Sequence, residues 1–217
     1  MSKRIGVVRF LGTNCDQDVF GAVQEVGLKP EWLWYQDQFD KNNYDALIIP
    51  GGFSYGDYLR CGALAARAPV MKSVIEASHQ GVPILGICNG FQILCEAGLL
   101  PGVLVRNNSL RFRDGWVNLN LVNPASAFGE EQVTKVRLPI AHGEGRYFVE
   151  DDQVKKLFDD NQVWWTYENN PNGSVENIAG VLSDKKNVAG LMPHPERAIA
   201  EFMGGEDGRS FFTSLLN

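Results

Sequence analysis

The chain has 217 residues, of which 44% are hydrophobic and 21% charged, and its formal net charge is −6. This is the composition of a folded globular protein, and it excludes a disordered or fibrous chain. The acidic balance argues against nucleic acid as the main partner, because phosphate binding needs clustered lysine and arginine. We expect a single domain over residues 1–217, large enough to bury a full core.

The sequence shows neither a membrane-span pattern nor a secretory-signal pattern. Residues 77–95 carry no Asp, Glu, Lys or Arg, but Pro83, several glycines and polar side chains interrupt the stretch. The first residues lack the apolar core and cleavage site of a signal. The four cysteines (15, 61, 88 and 95) contain no Cys-x-x-Cys pair. We therefore expect a cytoplasmic protein without a disulfide framework, a membrane partner or a metal-ligating spacing.

Short apolar strands alternate with helices in the first half of the chain. Asn14 is the predicted N-cap of the first helix, and Pro69 is expected to interrupt the second. Nearly continuous apolar runs suit parallel strands buried on both faces. We predict an α/β fold with a mostly parallel central sheet and helices on both faces. The predicted strands are residues 4–10, 29–35, 45–49 and 82–87, and the predicted helices are about residues 14–26, 63–80 and 90–97.

The second half of the chain has a different pattern. Residues 109–122 alternate in places between apolar and polar side chains, and residues 134–140 and 175–182 also favour extended structure. We predict antiparallel strands appended to the parallel core. A closing helix is expected at about residues 207–216.

Cys88 is the candidate nucleophile. It stands in the sequence GICNG, between a predicted buried strand and a predicted helix. Flanking glycines are typical of the sharp nucleophile turn of hydrolytic α/β enzymes, because a strained backbone leaves no room for bulky neighbours. The free N–H groups at the start of the helix also favour a thiolate. A buried structural cysteine beside two packing glycines is the alternative interpretation.

His194 and Glu196, in the sequence MPHPER, are the candidate base and its orienting carboxylate. Proline disfavours helical backbone at the residue before it, so we expect an extended segment with both side chains on one side. Glu196 would then accept a ring N–H of His194 and stabilise the imidazolium. A surface turn is the alternative, and the fold must bring the pair to the nucleophile from far downstream.

The other two histidines and a glycine pair complete the candidate residues. His79 follows a helical pattern and is expected to be solvated, whereas His142 lies in AHGEGR, a loop whose glycines allow close approach to a ligand. Gly51 and Gly52 follow the third strand and can turn a backbone N–H into a site, with the Asn89 amide as a second donor. Each donor would stabilise an oxyanion by about 3 kcal/mol. A plain loop and an ordinary turn are the alternatives.

These motifs together resemble a known family. PGG, GICNGFQIL and MPHPER are similar to the class I glutamine amidotransferases, which have a Cys-His-Glu triad and a flavodoxin-like fold. The blocks GTNCDQD, GGFSYGDYLRCGA, CNGFQIL, AHGEGR and MPHPER resemble, more narrowly, the glutaminase subunit of phosphoribosylformylglycinamidine synthase over about residues 5–200. Leu11 departs from the proline of many relatives, in a loop remote in sequence from the triad. We expect that difference to affect only the local turn or a partner contact.

The resemblance implies a role for each candidate residue. Cys88 would be the nucleophile, His194 the acid–base and Glu196 its orienter. The oxyanion hole would combine Asn89 with either Gly52 or Phe53. The implied glutamine contacts are Gly51, Gln92 and the loop of His142, Gly143 and Glu144, which would line the glutamine pocket or face the synthetase.

The resemblance also implies partners. Glutamine would be split into glutamate and ammonia through a Cys88 thioester, without a metal or another cofactor in this chain. Ligation of ammonia to an amide needs ATP, but the sequence has no Gly-rich phosphate loop ending in Lys-Ser/Thr. A large synthetase subunit would therefore carry ATP and magnesium and convert formylglycinamide ribonucleotide to formylglycinamidine ribonucleotide in purine biosynthesis. A small bridging subunit is also implied.

Three other functions stay open on the sequence alone. The chain would serve a different synthase if it were another glutaminase of the same class. A Cys-dependent hydrolase or chaperone-like protein with the same nucleophile turn would ignore glutamine. A binding subunit with a vestigial triad would have no glutaminase activity at all.

Overall fold

The computed structural model describes residues 2–123, 128 and 133–216. The strands within these residues are β1 Arg4–Arg9, β2 Lys29–Trp34, β3 Ala46–Ile49, β4 Ile84–Ile87, β5 Val103–Val105, β6 Arg113–Leu121, β7 Lys135–His142, β8 Arg146–Phe148, β9 Val163–Tyr167, β10 Ile178–Leu182 and β11 Val188–Leu191. In this described part of the chain, nine strands form one sheet in the order β2-β1-β3-β4-β11-β10-β9-β6-β7, and β5 and β8 form a separate pair. The helices are α1 Asp16–Glu25, α2 Val70–His79, α3 Asn89–Glu96, α4 Asp151–Asp159 and α5 Ser210–Thr213.

The large sheet has two parts. From β2 to β11 every neighbouring pair is parallel, and from β11 to β7 every pair is antiparallel. All residues of β3, β4 and β11 are buried, as expected of parallel strands covered on both faces. The predicted α/β class with appended antiparallel strands is confirmed.

The structure corrects several predicted boundaries. Asn14 does not cap α1, because Cys15 is the N-cap residue and no side chain caps this end. The break before Pro69 is present, since a 3-10 turn at Ala65–Arg67 ends there and α2 follows. In the segment 175–182 only β10 is a strand, and a 3-10 turn precedes it. The predicted closing helix is reduced to the single turn of α5 between 3-10 turns.

Five elements have no counterpart in the sequence prediction: α4, β5, β8, β9 and β11. Helix α4 is mostly polar and buries only Leu157, although Val154, Leu157 and Phe158 recur at helical spacing. Strands β5 and β8 have three residues each, and β11 has four. Such short runs acquire their strand identity from pairing with neighbours, which local pattern does not reveal. Across the described ranges we find no helix with the length and apolar character that a bilayer span requires.

The sequence prediction did not include β11, and this strand is important for the position of the candidate site. This strand lies between β10 and β4 and is parallel to β4, with Leu191 opposite Ile87. The carboxyl ends of β4 and β11 are therefore adjacent, and the segments that follow them, at residues 88 and 192, start side by side. Crevices at the carboxyl ends of parallel strands are where open α/β sheets bind ligands.

Candidate active site

Cys88 occupies the turn between β4 and α3. Its backbone has φ +50° and ψ −104°, a conformation that is costly for any residue other than glycine. A Cβ at position 90 would overlap the Ile49 carbonyl oxygen, and one at position 86 would lie 2.7 Å from the Gly90 oxygen. Both flanking glycines are thus required by close packing, as the sequence predicted for a nucleophile turn.

His194 reaches this turn from the end of β11. The Cys88 amide donates to the Leu191 carbonyl at 2.8 Å, and the His194 amide donates to the Pro139 carbonyl of β7 at 2.8 Å. These two bonds join the nucleophile turn, the histidine segment and the antiparallel part of the sheet. His194 and Cys88 both line a cavity of about 190 Å³.

Glu196 orients His194. The Nδ1 atom of His194 lies 2.7 Å from Glu196 Oε1, and both side chains are fully buried. The expected reason for this contact is wrong, because Pro195–Arg197 form a 3-10 turn and not an extended strand. Burial would lower the pKa of His194, but the electrostatic effects of Glu196 and then of Cys88 outweigh it and hold that pKa well above its ordinary value.

Two backbone amides remain available as oxyanion donors. Gly52 lines the cavity at a φ of +142°, and a Cβ there would lie 2.6 Å from the Asn14 nitrogen. The Phe53 amide donates to the Gly12 carbonyl at 3.1 Å and is therefore engaged, although Phe53 lines the same cavity. Within the described ranges, the backbone amides of Gly52 and Asn89 have no hydrogen-bond acceptor. The geometry thus favours Gly52 over Phe53 as the partner of Asn89.

The remaining predicted substrate contacts form a polar chain behind the nucleophile turn. The Ser54 amide donates to Asn89 Oδ1 at 3.2 Å, and Asn89 Nδ2 donates to Gln92 Oε1 at 2.9 Å. Gln92 Nε2 donates to the Glu144 carbonyl at 2.6 Å. These hydrogen bonds connect the glycine-rich loop before Ser54, helix α3 and the loop after β7. Neither Gln92 nor Glu144 lines the 190 Å³ cavity.

His142 is buried at the end of β7, beside the loop that contains Glu144. Its Nδ1 lies 3.2 Å from Asn107 Oδ1, which also accepts the Gly145 amide, so Nδ1 carries the proton. Burial and the nearby charge of His194 lower the pKa of His142 to about 4. The adjacent Gly143 uses its carbonyl to accept the Asn107 amide at 3.0 Å. His142 is therefore neutral, and its ring is fixed at the edge of the site.

Gly51 lies at the centre of the cluster. A Cβ on it would lie 2.9 Å from His194 Cε1, 3.2 Å from Cys15 Sγ and 3.3 Å from Cys88 Cβ. A side chain at this position would push the candidate base and nucleophile apart. Gly51 is thus a packing requirement of the site rather than a residue that presents a side chain to a ligand.

Sequence reasoning missed Cys15 and Arg197, which both line the cavity. Arg197 Nη2 donates to Cys15 Sγ at 3.1 Å, and its Nε pairs with Asp18 at 3.2 Å. The loop containing Leu11 is remote from the candidate triad in sequence, but Asn14 and Cys15, which follow that loop, line this wall of the cavity. The signal was present in GTNCDQD and MPHPER, although only folding joins the two motifs.

A larger cavity lies elsewhere. It has a volume of about 600 Å³ and is lined by residues near the amino ends of β4 and β11, such as Asn187 and Val188. It contains none of the predicted catalytic residues. Size alone therefore does not select the candidate active site, which rests on the convergence of a strained cysteine and a His–Glu pair.

Residues 2–205 match the model of the CobB/CobQ-like glutamine amidotransferase domain. The chain belongs to this glutamine amidotransferase family. A chain of the solved PurLQS structure from Thermotoga maritima is 46% identical, with a TM-score of 0.91 over 100% of this chain and 99% of that one. These matches confirm the resemblance to the glutaminase subunit of phosphoribosylformylglycinamidine synthase, and with it the enzyme class predicted from the sequence.

Two more distant structures share the fold. A putative GMP synthase subunit from Thermoplasma acidophilum is 16% identical, with a TM-score of 0.67, covering 100% of this chain and 93% of that one. A glutamine amidotransferase from Thermotoga maritima is 19% identical, with a TM-score of 0.60, covering 91% of this chain and 78% of that one. At this level of identity the likeness concerns the sheet and its crossover helices alone.

Proposed function

We propose that this glutamine amidotransferase hydrolyses glutamine at Cys88 and passes the ammonia to an ATP-dependent synthetase that makes formylglycinamidine ribonucleotide. One observation carries the catalytic part of the proposal. A cysteine in a strained turn and a buried His194–Glu196 pair converge on one cavity at the carboxyl ends of β4 and β11. The full-length match to PurLQS supports the choice of synthetase.

The first half-reaction forms a thioester. The Cys88 thiolate attacks the side-chain amide carbon of glutamine, and the carbonyl oxygen becomes an oxyanion that the Gly52 and Asn89 amides stabilise. The raised pKa of His194 keeps its imidazolium available beside the thiolate. His194 protonates the departing nitrogen, so that ammonia leaves and a glutamyl thioester remains on Cys88.

The second half-reaction regenerates the enzyme. Neutral His194 takes a proton from water, and the resulting hydroxide attacks the thioester. Glutamate leaves, Cys88 recovers its thiolate, and His194 is an imidazolium again. Glu196 orients the ring through its 2.7 Å bond to Nδ1 and stabilises the imidazolium.

The partners in the proposal follow from the chemistry. Ammonia is consumed by an amide-to-amidine conversion that needs ATP, and we assign ATP and magnesium to a large synthetase subunit. The proposed assembly also contains a small bridging subunit. We expect weak glutaminase activity from the isolated chain and strong activation in the complex. Equal turnover of glutamine with and without the synthetase would contradict this part of the proposal.

The catalytic assignment is tested with a glutamine-mimicking electrophile and intact-mass analysis. Wild-type protein should gain one adduct, Cys88→Ala should gain none, and the matched control Cys95→Ala on the same helix should behave like wild type. An adduct that persists in Cys88→Ala would overturn the assignment. Failure of labelling in all three proteins would favour a hydrolase for another substrate.

The choice of synthetase is tested separately. The chain is mixed with the synthetase for formylglycinamide ribonucleotide and, in parallel, with the synthetase component of GMP synthase. Glutamine-dependent product should form only in the first mixture. Product in the second mixture alone would leave the glutaminase chemistry intact but reassign the pathway.

A further inference from the structure

The imidazole of His194 lies beside two thiols, of which only one belongs to the proposed nucleophile. Its Nδ1 is held by Glu196, whereas the buried Nε2 has no hydrogen-bond partner among the residues that the structure describes. The sulfur of Cys15 lies within 4.8 Å of a ring nitrogen of His194, and Cys15 lines the same cavity as Cys88. Reaction at Cys88 therefore requires that the imidazole pair with that thiol and not with Cys15.

Both thiols act on the imidazole. Burial lowers the pKa of His194 and Glu196 raises it, and Cys88 and Cys15 raise it further. All three side chains also pack around one glycine, since a Cβ at position 51 would come within 3.3 Å of the His194 ring and of both cysteines. The two thiols are thus alternative partners for one free ring nitrogen.

Cys15 has hydrogen-bond partners of its own. Its thiol donates to Asn14 Oδ1 at 3.5 Å, and its sulfur accepts from Arg197 Nη2 at 3.1 Å. Arg197 is fixed in turn on α1, because its Nε donates to Asp18 Oδ2 at 3.2 Å. The Cys15 sulfur is therefore already engaged both as a donor and as an acceptor, and the imidazole is left to the other thiol.

We propose that Arg197 is a positioning residue, which holds the Cys15 sulfur and thereby leaves the free nitrogen of His194 to Cys88. The inference rests on the proposed glutaminase chemistry, in which His194 serves Cys88 alone. A guanidinium suits this role, because it stays protonated and always offers its N–H donors to the sulfur. Arg197 acts through the imidazole, so its removal should affect turnover and not the binding of glutamine.

The ion pair of Arg197 with Asp18 contributes little to the stability of the fold. Their side chains are 35% and 42% exposed, and ion pairs in such positions are weak. Arg209 provides a matched control, because it pairs with Glu25 at the other end of α1 at 3.6 Å and its side chain is 42% exposed. Arg197→Gln and Arg209→Gln should therefore unfold at nearly the same urea concentration, whereas only Arg197→Gln should lose activity.

Steady-state kinetics test the proposal through a double substitution. Arg197→Gln should lower kcat for glutamine by about tenfold or more with KM nearly unchanged, because the imidazole is then shared with Cys15. In a Cys15→Ala background the competing sulfur is absent, so the same substitution should change kcat by less than about twofold. Cys95→Ala is the control background, since Cys95 lies outside the cavity, and there the full loss should remain. An equal loss in both backgrounds would overturn the proposal.

Alkylation of Cys88 by iodoacetamide, followed by peptide mass analysis, provides a measurement that needs no glutamine. Arg197→Gln should slow the modification of Cys88 at neutral pH by about threefold or more, because the thiolate is the reactive form and an imidazolium partner stabilises it. Adding Cys15→Ala to this variant should restore the rate of Cys15→Ala alone. A rate that Arg197→Gln leaves unchanged would refute the proposal. If wild-type protein does not hydrolyse glutamine, the proposed function fails, while the alkylation rates still decide the role of Arg197.

Discussion

The parallel and antiparallel parts of the sheet contribute to the site in different ways. The parallel part supplies Cys88, His194 and Glu196 from segments that directly follow adjacent strands. The antiparallel part supplies β7, whose Pro139 carbonyl holds the His194 backbone and whose Ala141 carbonyl lies 3.9 Å from Cys88 Sγ. Reactive groups thus sit on rigid strand ends, and the pairing of distant strands encloses them.

Removing the nucleophile should have the largest effect on activity. It also tests whether activity and stability change independently at a turn in the parallel part of the sheet. Cys88→Gly should lose glutaminase activity by at least about 10⁴-fold, because no other group supplies the thioester. Its free energy of unfolding should rise by about 1 kcal/mol, since glycine relieves the strain at φ +50°. Steady-state ammonia release and urea unfolding measure the two quantities. A more easily unfolded variant would contradict the strain argument.

Glu196→Gln tests the contribution of the Glu196 carboxylate to the orientation and charge of His194. We expect glutamine turnover to fall by about a hundredfold or more, because the imidazolium loses its anionic partner. The upper pKa of the rate profile should also move to lower pH, since Glu196 raises the pKa of His194. A pH–rate profile checks both effects. If the upper pKa of the pH–rate profile is the same in the variant and in wild type, a group other than His194 sets that pKa.

The linkage of His194 to stability has a defined sign. A histidine with a raised pKa stabilises the fold fully below its unfolded value near 6.5, and this contribution is lost as pH rises through the higher folded value. The stability difference between wild type and Glu196→Gln should therefore shrink in alkaline solution. Chemical unfolding at a series of pH values measures it.

A matched pair of glycine substitutions compares the two parts of the sheet directly. Gly90→Ala, at the nucleophile turn, should destabilise the protein by about 3 kcal/mol or more, because the new methyl group overlaps the Ile49 carbonyl. Gly143→Ala, after β7, should cost less than about 0.5 kcal/mol, since its nearest neighbour would be Phe112 at 3.8 Å. Equal unfolding free energies would show that the two loops are equally constrained.

His142 should make the antiparallel part sensitive to acid. Its pKa of about 4 lies below the ordinary 6.5, so the unfolded chain binds a proton that the folded chain rejects. Between pH 6.5 and 4 this costs up to about 3 kcal/mol, at about 1.36 kcal/mol per pH unit. His142→Asn, which keeps a donor toward Asn107, should remove that acid-dependent loss. Urea unfolding at pH 7 and pH 4 provides the comparison.

Prediction from sequence succeeded where the relevant contacts are local. The GICNG segment carries its own strand, glycines and helix, so the position of Cys88 follows from neighbouring residues. The contact of His194 with Glu196 was expected, but through an extended segment rather than the 3-10 turn of Pro195–Arg197. Proline restricts the backbone conformation of the residue before it, and the tertiary contacts of that residue determine which of the remaining conformations it adopts.

The sequence by itself determined the α/β class, the sharp turn at Cys88 and the contact of His194 with Glu196, because strand periodicity, glycine and proline act over short distances. Only the tertiary structure decided that β11 lies beside β4, that Gly52 rather than Phe53 keeps its amide free, and that Cys15 lies close to His194. These are consequences of strand order and backbone pairing between distant segments. No local pattern encodes them, because each depends on which surfaces meet when the sheet forms.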